Sequence, residues 1–228
     1  MNKIITFTNI FGLDFFPPKP AIKEVPEWYK NTPEYFGDQG KKMIGTTTPS
    51  TIKKCIPVFD AITSGYILYT QVDLEISRTE ELTSYIWSDQ DAVSFHPIEQ
   101  APLHPTKNAA AYPKWNNPYA ITTPPGYSVL FIQPFHRESL FTILPGIVDT
   151  DTYKAPVNFP FVINDTKWEG IIPAGTPMAQ VIPFKRESWK HRIGSDKERQ
   201  DQEKITKKLK TLFFNSYKRQ FWFKKEYR

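Results

Sequence analysis

Ser64-Gly65-Tyr66-Ile67-Leu68-Tyr69-Thr70-Gln71-Val72-Asp73-Leu74-Glu75-Ile76 is the stretch that decides the class of fold. From Gln71 onward polar and apolar residues alternate strictly. Val72, Leu74 and Ile76 therefore share one face, and Asp73 and Glu75 the other. A period of two is the signature of a half-buried β-strand. The same reading predicts strands at Tyr85–Trp87, Val129–Gln133, Val157–Ile163 and Met178–Phe184. Turn chemistry separates them: Pro124-Pro125-Gly126, Asn164-Asp165 and Pro173-Ala174-Gly175-Thr176-Pro177. Phe95 to Tyr119, rich in Pro, Asn and Ala, reads as a long irregular connection.

Composition agrees with short strands. The 228 residues include 21 prolines against 10 glycines, and 15% are aromatic. Proline cannot donate to a sheet ladder or sit inside a helix, so long uninterrupted elements are excluded. Aromatic side chains favour pleated, half-buried surfaces. The expectation is a mainly β protein: a compact β-sandwich or β-clip-like domain with a C-terminal amphipathic α-helix. Three consecutive segments are expected. Residues 1–49 form an extended arm rich in proline and aromatics that packs on the core, 50–194 the β-rich core, and 195–228 a basic helix. Within the arm, the prolines of residues 13–33 impose an extended path. A helical turn is placed at Pro26–Lys30, with Trp28 and Tyr29 as anchors. Ser50 or Thr51 is read as the cap of a short helix that Pro57 interrupts.

Composition changes abruptly after Gly194. A helix starts at Ser195 or Asp196, and Ile205, Leu209, Phe213, Tyr217 and Phe221 recur every four residues, an apolar stripe widened by Leu212. Residues 204–228 carry nine Lys/Arg and one Glu, so the net charge of +5 on the whole chain belongs to its end. Two uses follow. The stripe can dock on protein through Phe213, Tyr217, Phe221 and Trp222, which with Trp28 and Tyr29 are the expected interface residues. Alternatively the basic patch of Lys207, Lys208, Lys210, Lys218, Arg219, Lys224 and Lys225 can hold nucleic acid. An arm of this composition, like the tail, points to contacts with other proteins or to self-association.

Cys55 stands alone, which excludes an internal disulfide, and it reads as a small buried apolar residue. No hydrophobic leader and no apolar run of membrane-spanning length occurs, so the expectation is a soluble protein that stays in the cell that makes it. Among the four histidines, His96 and His104 flank Glu99 in the irregular segment, and with His136 they are the candidate ligands of a metal. Two histidines and a carboxylate make the facial triad of non-haem iron enzymes, with Glu99 or Asp91 as the third ligand. The spacing matches no closed metal motif, and no cofactor is expected from it.

Two resemblances bear on function. Gly146-Ile147-Val148-Asp149-Thr150-Asp151-Thr152-Tyr153 and Gly175-Thr176-Pro177-Met178-Ala179-Gln180 resemble segments of the trimeric dUTP pyrophosphatases. By that resemblance Asp149 takes the water-activating position and Gln180 an adjoining structural one. Tyr153 comes one residue late, Lys154 and Ala155 replace a glycine, and His136-Arg137-Glu138-Ser139-Leu140 copies the Pro-Arg-Ser-x-Leu motif incompletely. The glycine-rich phosphate-closing segment is missing. A shared strand–turn–strand shape accounts for the match. Pro125-Gly126-Tyr127-Ser128, Leu144–Asp151, Val157–Phe161 and Gly175–Phe184 are similar to a family of unknown function from tailed phages, cyanophages especially, with bacterial relatives. That resemblance covers roughly residues 50–190, and Tyr217–Trp222 is similar to the phage members only. It implies a phage origin, a compact β domain, a place in the host cytoplasm or the virion, and other phage or host proteins as partners. The expected function is a non-enzymatic virion or assembly component, or a protein-binding module. The alternatives are a metal-dependent enzyme of the non-haem iron type, a nucleotide-hydrolysing enzyme, and a nucleic-acid-binding protein.

Overall fold

Proline spacing and apolar alternation together cut the chain into short strands, and the computed structural model shows fourteen of them among the described residues. It describes residues 3–35, 50–79, 83–88, 92–97, 99, 111–211 and 216–228, with backbone alone at 111, 208–211 and 216. The described residues form two compact units. The first comprises residues 1–24, 63–186 and 227; the second comprises 25–62, 187–226 and 228. The units are thus interleaved along the chain, where the sequence reading divides it into three consecutive segments.

All the strands lie in the first unit. In chain order they are β1 (Thr6–Asn9), β2 (Lys19–Pro20), β3 (Tyr66–Tyr69), β4 (Leu74–Arg78) and β5 (Thr83–Trp87). Then follow β6 (Val93–Pro97), β7 (Ala111–Trp115), β8 (Tyr119–Thr122), β9 (Tyr127–Ile132) and β10 (Phe141–Ile143). The last are β11 (Gly146–Val148), β12 (Phe159–Ile163), β13 (Gly170–Ile172) and β14 (Pro177–Lys185). Every pairing is antiparallel: a five-stranded sheet β11-β9-β14-β3-β2, a four-stranded sheet β10-β12-β7-β6, a three-stranded sheet β13-β4-β5, and the pair β1-β8. One core takes side chains from all of them, including Leu68, Leu74, Ile76, Ile121, Phe131, Phe141, Phe161 and Val181. The unit is mainly β and sandwich-like. Trp115 is buried in it, stacked on Phe161 at 4.8 Å between centroids, and its indole N–H has no hydrogen-bond partner among the described residues.

The deciding stretch behaves as two strands. Leu74 and Ile76 are buried and Glu75 is exposed, as the alternation requires. Residues Thr70–Asp73 instead turn a corner that carries the chain from the five-stranded sheet to the three-stranded one. Their side chains hold that corner. Thr70 Oγ1 donates to the Pro173 carbonyl at 2.9 Å, and the Asp73 carboxylate accepts from the Ala174 N–H at 2.7 Å. Side-chain hydrogen bonds thus compete with the ladder and end the strand. Gly65 enables the entry to β3: at φ +71°, a Cβ there would stand 1.9 Å from the Val181 carbonyl oxygen of β14.

The segment expected to be irregular between Phe95 and Tyr119 contains most of two strands. β6 and β7 pair with His96 opposite Tyr112 and Phe95 opposite Pro113. Pro97 and Pro113 concealed them, because proline demotes a strand reading even where the ladder does not need its N–H.

The second unit holds the helices: α1 (Glu27–Asn31), α2 (Ile56–Thr63, its last residue in the first unit), α3 (Asp196–Thr211) and α4 (Ser216–Gln220). Pro26 precedes α1, and Thr51 caps a 3₁₀ turn over Ile52–Lys54 by accepting from the Lys53 N–H at 3.2 Å. Pro57 does not interrupt a helix as expected; it lies in the first turn of α2, where no intrahelical N–H bond is needed. Cys55 is exposed rather than buried. Ser195 begins α3 with a reciprocal box: the Glu198 carboxylate accepts from the Ser195 N–H at 2.8 Å, while Ser195 Oγ accepts from the Glu198 N–H at 3.4 Å.

Candidate functional site

Asp149 follows β11 in a tight turn, with the Tyr153 N–H donating to its carbonyl at 2.8 Å. Its Oδ1 accepts from the buried Ser128 hydroxyl at 2.6 Å and lies 3.2 Å from Arg186 Nη1. Arg186 ends the β14 ladder and grips Asp151 with both terminal nitrogens, at 2.7 and 2.5 Å, while the Gly126 N–H donates to the same carboxylate at 2.8 Å. The Ser128 hydroxyl, and then Arg186, hold Asp149 below the ordinary carboxylate range. Arg186, and then the Gly126 amide, bring Asp151 down to about 2. Asp149 thus shares with Asp151 the cation of Arg186. The group ties the 149–153 turn to the start of β9 and the end of β14.

Gln180 is buried and bridges two segments of the first unit. Its Oε1 accepts from the Phe135 N–H at 3.0 Å and its Nε2 donates to the Ser64 carbonyl at 2.6 Å. His136 next door is exposed and has φ 53°, in the left-handed region. His96 lies in β6 and is half-buried. His104 and Asp91 lie outside the described residues. Among the described residues, no three His, Cys, Asp or Glu side chains stand together as a metal's ligands would.

The expected interface residues divide. Tyr29 is buried inside the second unit, its ring 6.2 Å from that of Phe59 and its backbone carbonyl accepting from Lys53 Nζ at 2.6 Å. Trp28, Tyr217 and Phe221 remain substantially exposed. The half-buried Trp222 donates its indole N–H to both oxygens of Asp60 at 3.0 Å. Lys225 reaches the same carboxylate at 2.5 Å, so Asp60 anchors the chain's end. Phe213 and Leu212 lie outside the described residues. Of the basic patch, Lys207, Lys218, Arg219, Lys224 and Lys225 are exposed; Lys208 and Lys210 lie in α3, with backbone alone described. Lys218 Nζ stands 5.7 Å above the Trp222 ring, and Lys224 pairs with Glu226 at 2.9 Å. No described helix is long and apolar enough to cross a membrane.

Sequence reasoning missed two exposed apolar surfaces. In the first unit, Ile4, Ile10, Phe11, Leu13 and Phe16 are 46–72% exposed. Of these, Phe11 and Leu13 line a cavity of about 70 Å³ together with Phe15, Ala92, Pro118, Gln71 and Asn116. This segment is held rigidly. Asn9 Oδ1 accepts from the N–H groups of Phe11 and Gly12 at 3.1 Å, Asn9 Nδ2 donates to the Leu13 carbonyl at 2.7 Å, and Gly12 takes φ +67°. Gln71 Oε1 accepts from the Phe16 N–H at 2.7 Å. In the second unit, Trp189 and Ile193 are 86% and 93% exposed. The available signal was an apolar residue with no periodic partner: Leu13-Asp14-Phe15-Phe16 and Trp189-Lys190-His191-Arg192-Ile193 fit neither period.

No family model matches the chain, and no curated protein matches it significantly.

Proposed function

We propose that the chain is a non-enzymatic binding and assembly protein of a tailed phage, in which the β unit is a rigid scaffold meeting another protein through residues 4–16. The observation that carries this reading is the preorganised apolar display around the 70 Å³ cavity. Monomeric proteins seldom leave contiguous large apolar side chains in water unless a partner covers them. Asn9 and Gln71 fix the backbone that presents Phe11, Leu13 and Phe16, so little conformational entropy is lost on binding. The engagement of Asp149 by Ser128 and Arg186 favours a structural part for the segment that resembles the dUTP pyrophosphatases. The phage assignment rests on the sequence resemblance over residues 50–190.

Mass spectrometry of purified particles tests the assembly version, which requires the chain to be present; its absence removes that version. For the surface itself, Phe11→Ser with Leu13→Ser should abolish capture of the particle or host protein that the unsubstituted chain retains, with the melting midpoint unchanged. Equal capture by both chains overturns the assignment.

A further inference from the structure

We propose that the second unit binds single-stranded nucleic acid, a reading independent of the protein surface assigned to the first. The units differ in charge: the second carries 18 Lys/Arg against 10 Asp/Glu, net +8, and the first 11 against 14, net −3. The excess is not diffuse. Three times in the second unit an aromatic residue is followed at once by cations: Trp189-Lys190-His191-Arg192, Tyr217-Lys218-Arg219 and Phe223-Lys224-Lys225. Those rings are open to solvent, Trp189 and Phe223 to 86% and 83%, Tyr217 to 46%. Lys190, Lys218 and Arg219 are exposed beside them.

An aromatic face with cations next to it is what an unpaired nucleotide requires. The base stacks on the ring and the flanking phosphates meet the cations. Arg192 is paired with Glu198 at 2.6 Å and Lys224 with Glu226 at 2.9 Å, exposed pairs that contribute little and give way to a phosphate. Lys225 stays on Asp60 and positions the tail. Duplex DNA is a poorer fit, because its bases are already stacked and would leave the rings idle. An anionic bilayer is poorer still. The first half of α3 carries Asp196, Glu198, Asp201 and Glu203, and among the described side chains of α3 only Ile205 offers apolar surface.

The test is fluorescence anisotropy of the full chain with labelled oligo-dT and oligo-rU of about 20 nucleotides, enough to span a typical single-strand site. The two strands separate DNA from RNA as the source of the same chemistry. Affinity should fall steeply with salt. Lys218→Glu with Arg219→Glu should reduce the log–log slope by about 1–2, since each phosphate no longer neutralised removes about 0.7 from it. Trp189→Ala and Phe223→Ala should each weaken binding about 5- to 100-fold with the slope unchanged, and Trp189→Phe should restore most of the loss. Quenching of tryptophan emission in the unsubstituted chain on adding oligo-dT gives a readout that needs no variant. The proposal is overturned by absence of binding at low salt. It is equally overturned by duplex binding as tightly as single strand, by Trp189→Ala and Phe223→Ala having no effect, or by stronger binding to phosphatidylserine vesicles or poly-Glu. The Phe11→Ser, Leu13→Ser chain should bind oligo-dT normally, so failure of either reading is separable from failure of the other.

Discussion

The core of the first unit encloses aromatic rings, and the last part of the second unit displays them. In the β unit Trp115, Phe141 and Phe161 pack against one another and Phe131 against Phe159, with ring centroids 4.8 to 5.6 Å apart. Trp189 and Phe223 of the second unit lie largely in water, and Tyr217 and Phe221 are partly exposed, in a stretch rich in lysine and arginine. What organises the second unit is polar: Lys53 on the carbonyls of Tyr29 and Lys30 at 2.6 and 2.7 Å, and Asp60 on Trp222 and Lys225. The same residue type therefore does different work. An aromatic enclosed by other apolar groups contributes stability through area removed from water, whereas one left exposed among cations is available to a ligand.

This contrast can be broken experimentally, and the largest effect is expected in the β core. Phe161→Ala should cost about 3–5 kcal/mol, because the stacked ring leaves a cavity that its neighbours only partly fill. Chemical denaturation followed by far-UV circular dichroism measures it, and a cost below about 1 kcal/mol would mean that the core tolerates loose packing. Next comes alkaline pH. Burial raises Tyr66, Tyr69, Tyr85 and Tyr119 of the first unit above the usual phenol value of 10. The unfolded chain sheds those protons near pH 10 while the folded one keeps them. Their contribution is thus intact below pH 10 and lost progressively above it. A melting midpoint flat from pH 9 to 12 would contradict this.

Asp60→Asn sharpens the comparison from the other side. Removing the charged acceptor of Trp222 and Lys225 should cost about 1.5–3 kcal/mol locally. Faster amide exchange at residues 217–226, with the β strands unaffected, is the expected pattern. Exchange accelerating in both units alike would mean that they unfold together. The smallest effect belongs to Ser195→Ala, which removes the cap hydroxyl of α3. The Arg199 amide, bonded to the Ser195 carbonyl at 3.0 Å, should exchange several-fold faster with the global midpoint unmoved.

How much was legible follows from how local each cause is. The strands at 85–87, 129–133, 157–163 and 178–184 were placed within a few residues, because alternation and turn residues act over short stretches. The corner at Thr70–Asp73 was not legible. Its partners, Pro173 and Ala174, are about a hundred residues away in the chain. β6 and β7 were hidden by their prolines. At the candidate site, Asp149 and Gln180 were singled out from local resemblance. The grip of Arg186 on Asp149 and Asp151 depends on β14 returning beside β9, a non-local event.

The amino-acid order by itself determined the β class, the helix beginning at Ser195 and the concentration of positive charge near the chain's end, since periodicity, capping and charge count need no partner. Tertiary structure decided which aromatics are enclosed and which are open, and which cations are committed to carboxylates. Burial and ion pairing are properties of surfaces brought together from distant residues. Tyr29 and Trp28 are neighbours in the chain, yet one is sealed inside its unit and the other faces water.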